Sequence, residues 1–202
     1  NFTGSLKSSG DLTFQANQFY PVTRADFTIN PAGAYTPGTV TFLSSGGSIA
    51  DTPLSAGGKL TVNATTINQA GVVRAPLGQI AFNATAGVNL MNGSVASVSG
   101  DGKLIPFGSV QNGKSWVYQV DPATSNLISS PLAKQISLNA PTVTIASGAT
   151  ADLSGGGDLY AYEFVAGPGG SRDVLDSRYT AAILPRLGPT TSPSVFAPLD
   201  HQ

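Results

Sequence analysis

Residues 88–107, VNLMNGSVASVSGDGKLIPF, align without a gap on residues 143–162, VTIASGATADLSGGGDLYAY, at a constant offset of 55 positions. Apolar residues match apolar residues, as Val98 matches Leu153, and the glycines between them also match. Repeated apolar positions separated by repeated turns are typical of a chain whose consecutive segments stack on one another. The sequence therefore predicts a repeat protein.

A shorter pattern recurs in which an apolar residue, any residue, an apolar residue, an amide residue and alanine follow one another. Three close copies and one looser copy occur at 60–64 (LTVNA), 80–84 (IAFNA), 136–140 (ISLNA) and 12–16 (LTFQA). Period-two alternation predicts a half-buried strand. The 20-residue step between the first two copies is too short for a βαβ unit and suits a coil of short strands joined by turns. The pattern predicts an all-β fold, a parallel β-helix or solenoid.

The asparagines of this motif are the clearest structural candidates. If the coils stack in register, equivalent side chains lie about 4.8 Å apart, the spacing of neighbouring strands. Asn63, Asn83 and Asn139 are therefore predicted to form a ladder in which each side-chain amide bonds to the next.

The coils are predicted to span residues 1–166 with two interruptions. Residues 18–36 are rich in aromatic residues and predict a short antiparallel insertion. Residues 108–133 contain an Asn-Gly step, a strong hairpin signal, and predict an excursion from the wall. Residues 167–202 lose periodicity and gain prolines, which predicts an irregular extended tail that lies along the flank or stays partly mobile.

Composition narrows the function classes. Charged residues make up only 10% of the chain and the net charge is −1, so nucleic acid and membrane surfaces are not expected partners. The chain has no cysteine and one histidine, His201, which leaves almost nothing for a zinc site or a Ser-His-Asp triad. We expect no cofactor and no metal. The first residues lack the pattern of a signal peptide and begin within the repeat pattern, which predicts a piece of a longer polypeptide.

Acidic residues in the second repeat leave an enzymatic alternative open. Asp152 and Asp158 are the nearest candidates for the two carboxylates of a β-helix polysaccharide hydrolase or lyase, which lie about 5–10 Å apart. In the first repeat they match Ser97 and Lys103, as expected of variable turn positions, so turn capping is favoured. The segment 154–159, SGGGDL, is a single incomplete copy of a calcium-binding glycine-rich repeat, and a glycine turn is favoured there.

Two aromatic residues of the second interruption are the candidate binding residues. Trp116 and Tyr118 alternate on one face of a predicted strand. Aromatic side chains in this arrangement either stack on a sugar ring or pack their strand onto the wall. Packing is favoured, and binding of a carbohydrate or a receptor through Trp116 and Tyr118 stays as the alternative.

Three segments carry a family resemblance: 67–80 (INQAGVVRAPLGQI), 93–108 (GSVASVSGDGKLIPFG) and 153–164 (LSGGGDLYAYEF). In this order they resemble the filamentous-haemagglutinin-like exoproteins of Gram-negative two-partner secretion, in the C-terminal part of their repetitive stalk. The resemblance implies a right-handed parallel β-helix, export through an outer-membrane transporter partner, and a role in adhesion. It also implies a secreted or outer-membrane cell-surface location. The family's N-terminal secretion domain has no counterpart in these residues.

These features predict a structural segment of a secreted or cell-surface β-helical adhesin, without enzymatic activity. The expected partners are the rest of the same long polypeptide, the transporter, and a glycan or receptor on a host or bacterial surface. Strand edges left open at the two ends also predict end-to-end self-association, unless an irregular segment covers them.

Overall fold

The computed structural model describes most of the chain as β-strand. The described residues are 2–31, 38–121, 123–163, 183–185 and 196–198. Every regular element in these ranges is a strand, and most strand pairs are parallel. The predicted all-β fold with parallel strands is therefore confirmed. The predicted tail, 167–202, lies outside the described residues apart from two short strands that pair antiparallel, β16 (Ile183–Pro185) and β17 (Phe196–Pro198).

The largest sheet consists of two rows of parallel strands, in which successive passes of the chain lie side by side. The first row is β1 (Phe2–Lys7), β3 (Ala25–Asn30), β5 (Lys59–Gln69), β7 (Gln79–Leu90) and β12 (Gln135–Asn139). The second row is β2 (Leu12–Ala16), β4 (Thr39–Ser44), the later halves of β5 and β7, and β13 (Thr142–Ile145). Strands β5 and β7 belong to both rows, because each continues from the first row into the second. The chain turns the corner between the rows where the pairing shifts register, between Ala64 and Thr66.

The remaining strands form two further rows and a hairpin. The third row is β6 (Val72–Arg74), β8 (Val95–Ser97) and β14 (Thr150–Asp152). The fourth row is β9 (Leu104–Gln111) and β15 (Asp158–Glu163). The hairpin adds β10 (Ser115–Asp121), which pairs antiparallel with β9, and β11 (Thr124–Leu127), which pairs antiparallel with β10. The parallel sheets together curl as a half-barrel.

Columns of apolar residues fill the interior, because side chains alternate between the two faces of a strand. One column runs through the second row in register and consists of Leu12, Val40, Ile67, Val88 and Val143. Its three middle members are fully buried. Phenylalanines form a second interior stack: the ring centroids of Phe14 and Phe42 lie 5.4 Å apart, and those of Phe42 and Phe82 lie 6.1 Å apart. Apolar burial along these columns is the main stabilising term of the fold.

The gap-free alignment of the two repeats holds through the third row and is wrong after it. Ser97 pairs with Asp152 at the offset of 55, whereas Leu104 pairs with Asp158, one position less. The turn before β15 is one residue shorter than the turn before β9, and its glycines 156–157 have φ of 97° and 83°, a conformation that other residues rarely adopt. The predicted match of Asp158 with Lys103 is corrected accordingly.

The predicted antiparallel insertion at 18–36 is also corrected. Its residues Ala25–Asn30 form β3, which pairs parallel with β1 and β5 and sets Phe27 opposite Leu60. Residues 32–37 lie outside the described residues. The strand was hard to recognise because its copy of the motif, 27–31, ends in proline where the others end in alanine.

The looser motif copy at 12–16 belongs to a different row from the other three copies. Leu12 lies opposite Val40, which in turn lies opposite Ile67 in the later half of β5. It therefore shares no column with Leu60. The motif describes any strand with inward apolar residues, so it does not separate one row from the next.

Candidate functional site

The hairpin of β9 and β10 departs from the wall at a tight turn. Asn112 and Gly113 have φ of 55° and 64°, and the backbone N–H of Lys114 donates to the carbonyl oxygen of Gln111 at 3.1 Å. Two consecutive positive φ values are typical of the type I′ turn, which the Asn-Gly pair favours. The turn directs β10 back along β9 and so positions the aromatic residues that follow.

Trp116 and Tyr118 are half-buried and pack the hairpin onto the wall. Both rings contact Phe107, with centroid distances of 6.2 Å for Trp116 and 5.0 Å for Tyr118. The indole Nε1 of Trp116 donates to the carbonyl oxygen of Phe107 at 2.6 Å. Burial raises the pKa of the Tyr118 hydroxyl, and the positive charge of Arg24 opposes that increase. The packing role that the sequence favoured is therefore present for both side chains.

After the hairpin, residues 128–134 cross the wall to reach β12; we call this segment the strap. The backbone N–H of Ile128 donates to the carbonyl oxygen of Trp116 at 2.8 Å, which ties the start of the strap to β10. Leu132, near its end, packs on the buried cluster that contains Ile105 and Phe107. The strap is thus tied to β10 at its start and packs on the wall through Ile128 and Leu132.

A groove of about 560 Å³ lies between the strap and the wall; we call it the strap groove. Trp116 and Leu159 line its apolar part, Lys134 and Asp158 carry its charges, and Ser129 adds a hydroxyl. The volume is within the range of sites that bind small organic ligands. Tyr118 does not line this groove, so of the two predicted binding residues only Trp116 faces it.

A smaller cavity of about 180 Å³ lies beside the strap groove; we call it the Arg24 cavity. Arg24 and Lys59 supply its cationic side chains and Asp26 its carboxylate. Leu77 and Leu132 line both spaces. The two spaces are therefore neighbours, separated by little more than the apolar anchor of the strap.

The asparagine side chains of the first row form an outward-facing column. The Asn83 Nδ2 donates to the Oδ1 of Asn63 at 2.9 Å, and Asn139 is the backbone partner of Asn83 on β12. Asn30, which the sequence analysis missed, lines the same surface recess as these three. The motif copy that contains Asn30 ends in Pro31 instead of alanine, so the motif does not identify Asn30 as a member of the column.

A second amide pair lies in the second row. The Asn89 Nδ2 donates to the Oδ1 of Asn68 at 2.9 Å. Sequence reasoning missed this pair because the corner of β7 contains one more residue than that of β5, so the two asparagines do not share the spacing of the motif. In the sequence, this pair is indicated only by an asparagine in the part of each strand that follows the corner.

Removal of the Asn63–Asn83 contact tests whether it stabilises the stack. We expect Asn63→Ala and Asn83→Ala each to lower the free energy of unfolding by about 1 kcal/mol, the usual contribution of one hydrogen bond. Because the two residues share one bond, the double variant is expected to lose less than the sum of the two single losses. Urea denaturation of the four proteins measures this difference, and strict additivity would contradict an energetic contribution of the contact.

Asp152 is engaged as a turn cap. Its Oδ1 accepts from the backbone N–H of Ser154 at 2.9 Å and from the Ser154 hydroxyl at 2.5 Å, and its Oδ2 accepts from the Ser97 hydroxyl at 2.8 Å. These bonds, the Ser154 hydroxyl first, hold the pKa of the carboxyl below its usual range. The geometry is that of an Asp that closes a turn and joins two neighbouring passes.

The lowered pKa of Asp152 predicts a direction of pH dependence. Because the folded state favours the ionised carboxylate, its stabilising contribution is complete above the ordinary pKa near 3.8 and is lost as the pH falls through the lowered value. Denaturation midpoints of wild type and Asp152→Asn are expected to differ at about pH 6 and to approach each other as the pH falls below the ordinary pKa. A gap that widens on acidification would contradict this assignment.

The part of the chain that the structure describes contains neither a metal-binding cluster nor a membrane-spanning helix. Among the described residues, no three His, Asp or Glu side chains gather in a group that suits a metal ion. No helix with the length and apolar character of a membrane span occurs in that part of the chain either.

Comparison with known proteins adds no relative. No family model, no curated protein and no solved structure matches this chain. The strand rows, the strap groove and the Arg24 cavity are therefore the features that bear on function.

Proposed function

We propose that this chain is a structural segment of a secreted or cell-surface exoprotein of the filamentous-haemagglutinin-like class, and that its rows form a right-handed parallel β-helix. The observation that supports it is the in-register parallel pairing of successive passes, column by column. Connections between parallel strands of one sheet are right-handed in nearly all proteins, because of the twist of the strands. The segment acts mechanically, as a spacer of fixed length in an adhesive filament.

Exposed apolar residues at the two edges of the stack support the proposal that the filament continues beyond them. Leu6 on β1 and Ile145 on β13 occupy inward columns, yet they are 36% and 57% exposed. Their column neighbours in the middle passes, such as Val62 and Leu90, are almost completely buried. Exposed apolar residues on open strand edges are suited to contact a further coil. In the filament, the rest of the same polypeptide supplies these coils, and an outer-membrane transporter exports the whole.

Self-association tests this proposal, because an isolated stack can use a second copy in place of the missing coil. Sedimentation velocity is expected to show association that increases with concentration. Leu6→Lys or Ile145→Lys, which place a charge in an inward column at one edge, are expected to abolish it. Leu127→Lys is the matched control, since Leu127 is 64% exposed on the hairpin strand β11. Equal association of all four proteins would overturn the proposal.

The strap groove favours a second function, the binding of a glycan. Trp116 is fixed by its hydrogen bond to Phe107 and lines an open groove of ligand size, so its ring is available in a preorganised position. A glycan array is expected to give a signal that Trp116→Ala removes and Tyr118→Phe retains. An array without signal for the folded wild type would exclude this function.

A further inference from the structure

Arg24 has a strained backbone at the mouth of the Arg24 cavity. Its φ is 59°, one of three positive values among the non-glycine residues that the structure describes. Its backbone N–H donates to the carbonyl oxygen of Ala56 at 3.1 Å, which holds this conformation. Residues other than glycine keep such a conformation only where the surroundings enforce it, and these positions concentrate at binding and catalytic sites.

The guanidinium of Arg24 is also short of an acceptor. Its Nε is buried, and no hydrogen-bond partner for it occurs in the described part of the chain. Buried N–H groups of charged side chains are costly when unpaired, and such a group calls for an anion or a water. The carboxylate nearest in the cavity, Asp26, is engaged with Lys59 at 3.9 Å. The wall of the cavity therefore contains a guanidinium whose Nε lacks an acceptor.

The Arg24 cavity and the strap groove are neighbouring spaces with different chemistry. Their walls together carry one net positive charge, because they are lined by three cations and two carboxylates: Arg24, Lys59, Lys134, Asp26 and Asp158. The aromatic ring of Trp116 lines the larger space, and the guanidinium with the unpaired Nε lines the smaller one. A ligand that fits both needs an apolar ring face at one end and an anionic group at the other.

We propose that the Arg24 cavity and the strap groove together bind an acidic sugar chain, in which a hexuronate carboxylate pairs with Arg24 and a neighbouring ring contacts Trp116. This proposal rests on the glycan-binding function of the strap groove. A guanidinium pairs with a carboxylate through two parallel hydrogen bonds, which gives geometry as well as charge. The small cavity holds the acidic ring, and the open groove holds the rest of the chain.

Two trisaccharides test this proposal on the whole chain by isothermal titration: trigalacturonate and its fully methyl-esterified form, which has the same rings without the charge. The wild type is expected to bind the acid about tenfold more tightly than the ester, as one charge-assisted pair implies. Arg24→Gln is expected to remove this preference. Lys7→Gln, which removes a cation from β1 at the edge of the stack, is the control and is expected to retain it.

The outcomes separate the two proposals. Equal binding of acid and ester by the wild type, weakened by Trp116→Ala, would overturn the role of Arg24 and leave glycan binding in place. Binding of neither trisaccharide would overturn the acidic-sugar proposal, and the glycan array then decides whether the strap groove binds another glycan. If Arg24→Gln does not fold, Arg24→Asn replaces it, because asparagine tolerates the positive φ of this position. A preference for the acid that stays tenfold in that variant would contradict the role of Arg24.

Discussion

Replacement of Phe82 by alanine is expected to lower the free energy of unfolding by about 3–5 kcal/mol, the usual cost of a large core truncation. Phe82 is fully buried on β7, and its ring stacks on that of Phe42 with an interplanar angle of 18°. Its removal leaves a cavity between the first and second rows that the paired backbones on both sides cannot close. Domains of this size are stable by only about 5–15 kcal/mol, so the loss is severe.

Urea denaturation followed by circular dichroism measures this loss. Phe2→Ala is the matched control, because Phe2 is 51% exposed on the edge strand β1 and its truncation is expected to change stability by about 0.5 kcal/mol or less. Equal losses for the two variants would contradict the interior position of the phenylalanine stack.

Replacement of Gly78 by alanine is expected to be nearly as damaging, by about 3 kcal/mol, through overpacking rather than a cavity. A Cβ at Gly78 would overlap the backbone carbonyl oxygen of Gly58 in the preceding pass. That carbonyl accepts a hydrogen bond from the backbone N–H of Gln79 at 2.9 Å, which sets the distance between the two passes at this corner. Backbone cannot move aside as a flexible side chain can, so the passes must separate.

Gly10→Ala is the control for this variant, since a Cβ at Gly10 meets no atom within 4 Å. Thermal unfolding of both proteins distinguishes the two situations. A Gly78→Ala protein as stable as Gly10→Ala would mean that the passes lie further apart at this corner than the structure places them.

The columns of the fold could be predicted from sequence because they depend on local alternation. Leu60 and Ile80 share a motif and a 20-residue step, and this is the register in which β5 and β7 pair. The contact between Asn63 and Asn83 follows from the same spacing. Position 31 shows the limit, because proline in place of alanine was enough to hide the motif of β3 and the alignment of Asn30.

Register at the turns could not be predicted, because it depends on backbone conformation. The turn that contains the positive-φ glycines 156–157 is one residue shorter than its counterpart before β9, and an alignment without gaps does not show such a change. The shift moved the partner of Asp158 from Lys103 to Leu104. One residue is enough to change which face of a strand a side chain occupies.

The candidate site was predicted only in part, because it is built from distant segments. Trp116 could be selected as an aromatic residue in an excursion, and packing of the aromatic strand onto the wall could be expected. The opposite wall comes from Arg24 and from the strap, which are about a hundred residues apart in the chain. No local pattern marks Arg24 as a residue with positive φ and an unpaired Nε, because both properties arise from its surroundings.

Small-angle X-ray scattering over a series of concentrations tests the central claim most directly, that the chain is one segment of a stack that continues along its axis. The account predicts particles whose cross-sectional radius stays constant while their length increases with concentration, because copies join edge to edge. Particles that thicken as they grow, or a compact monomer at every concentration, would contradict it.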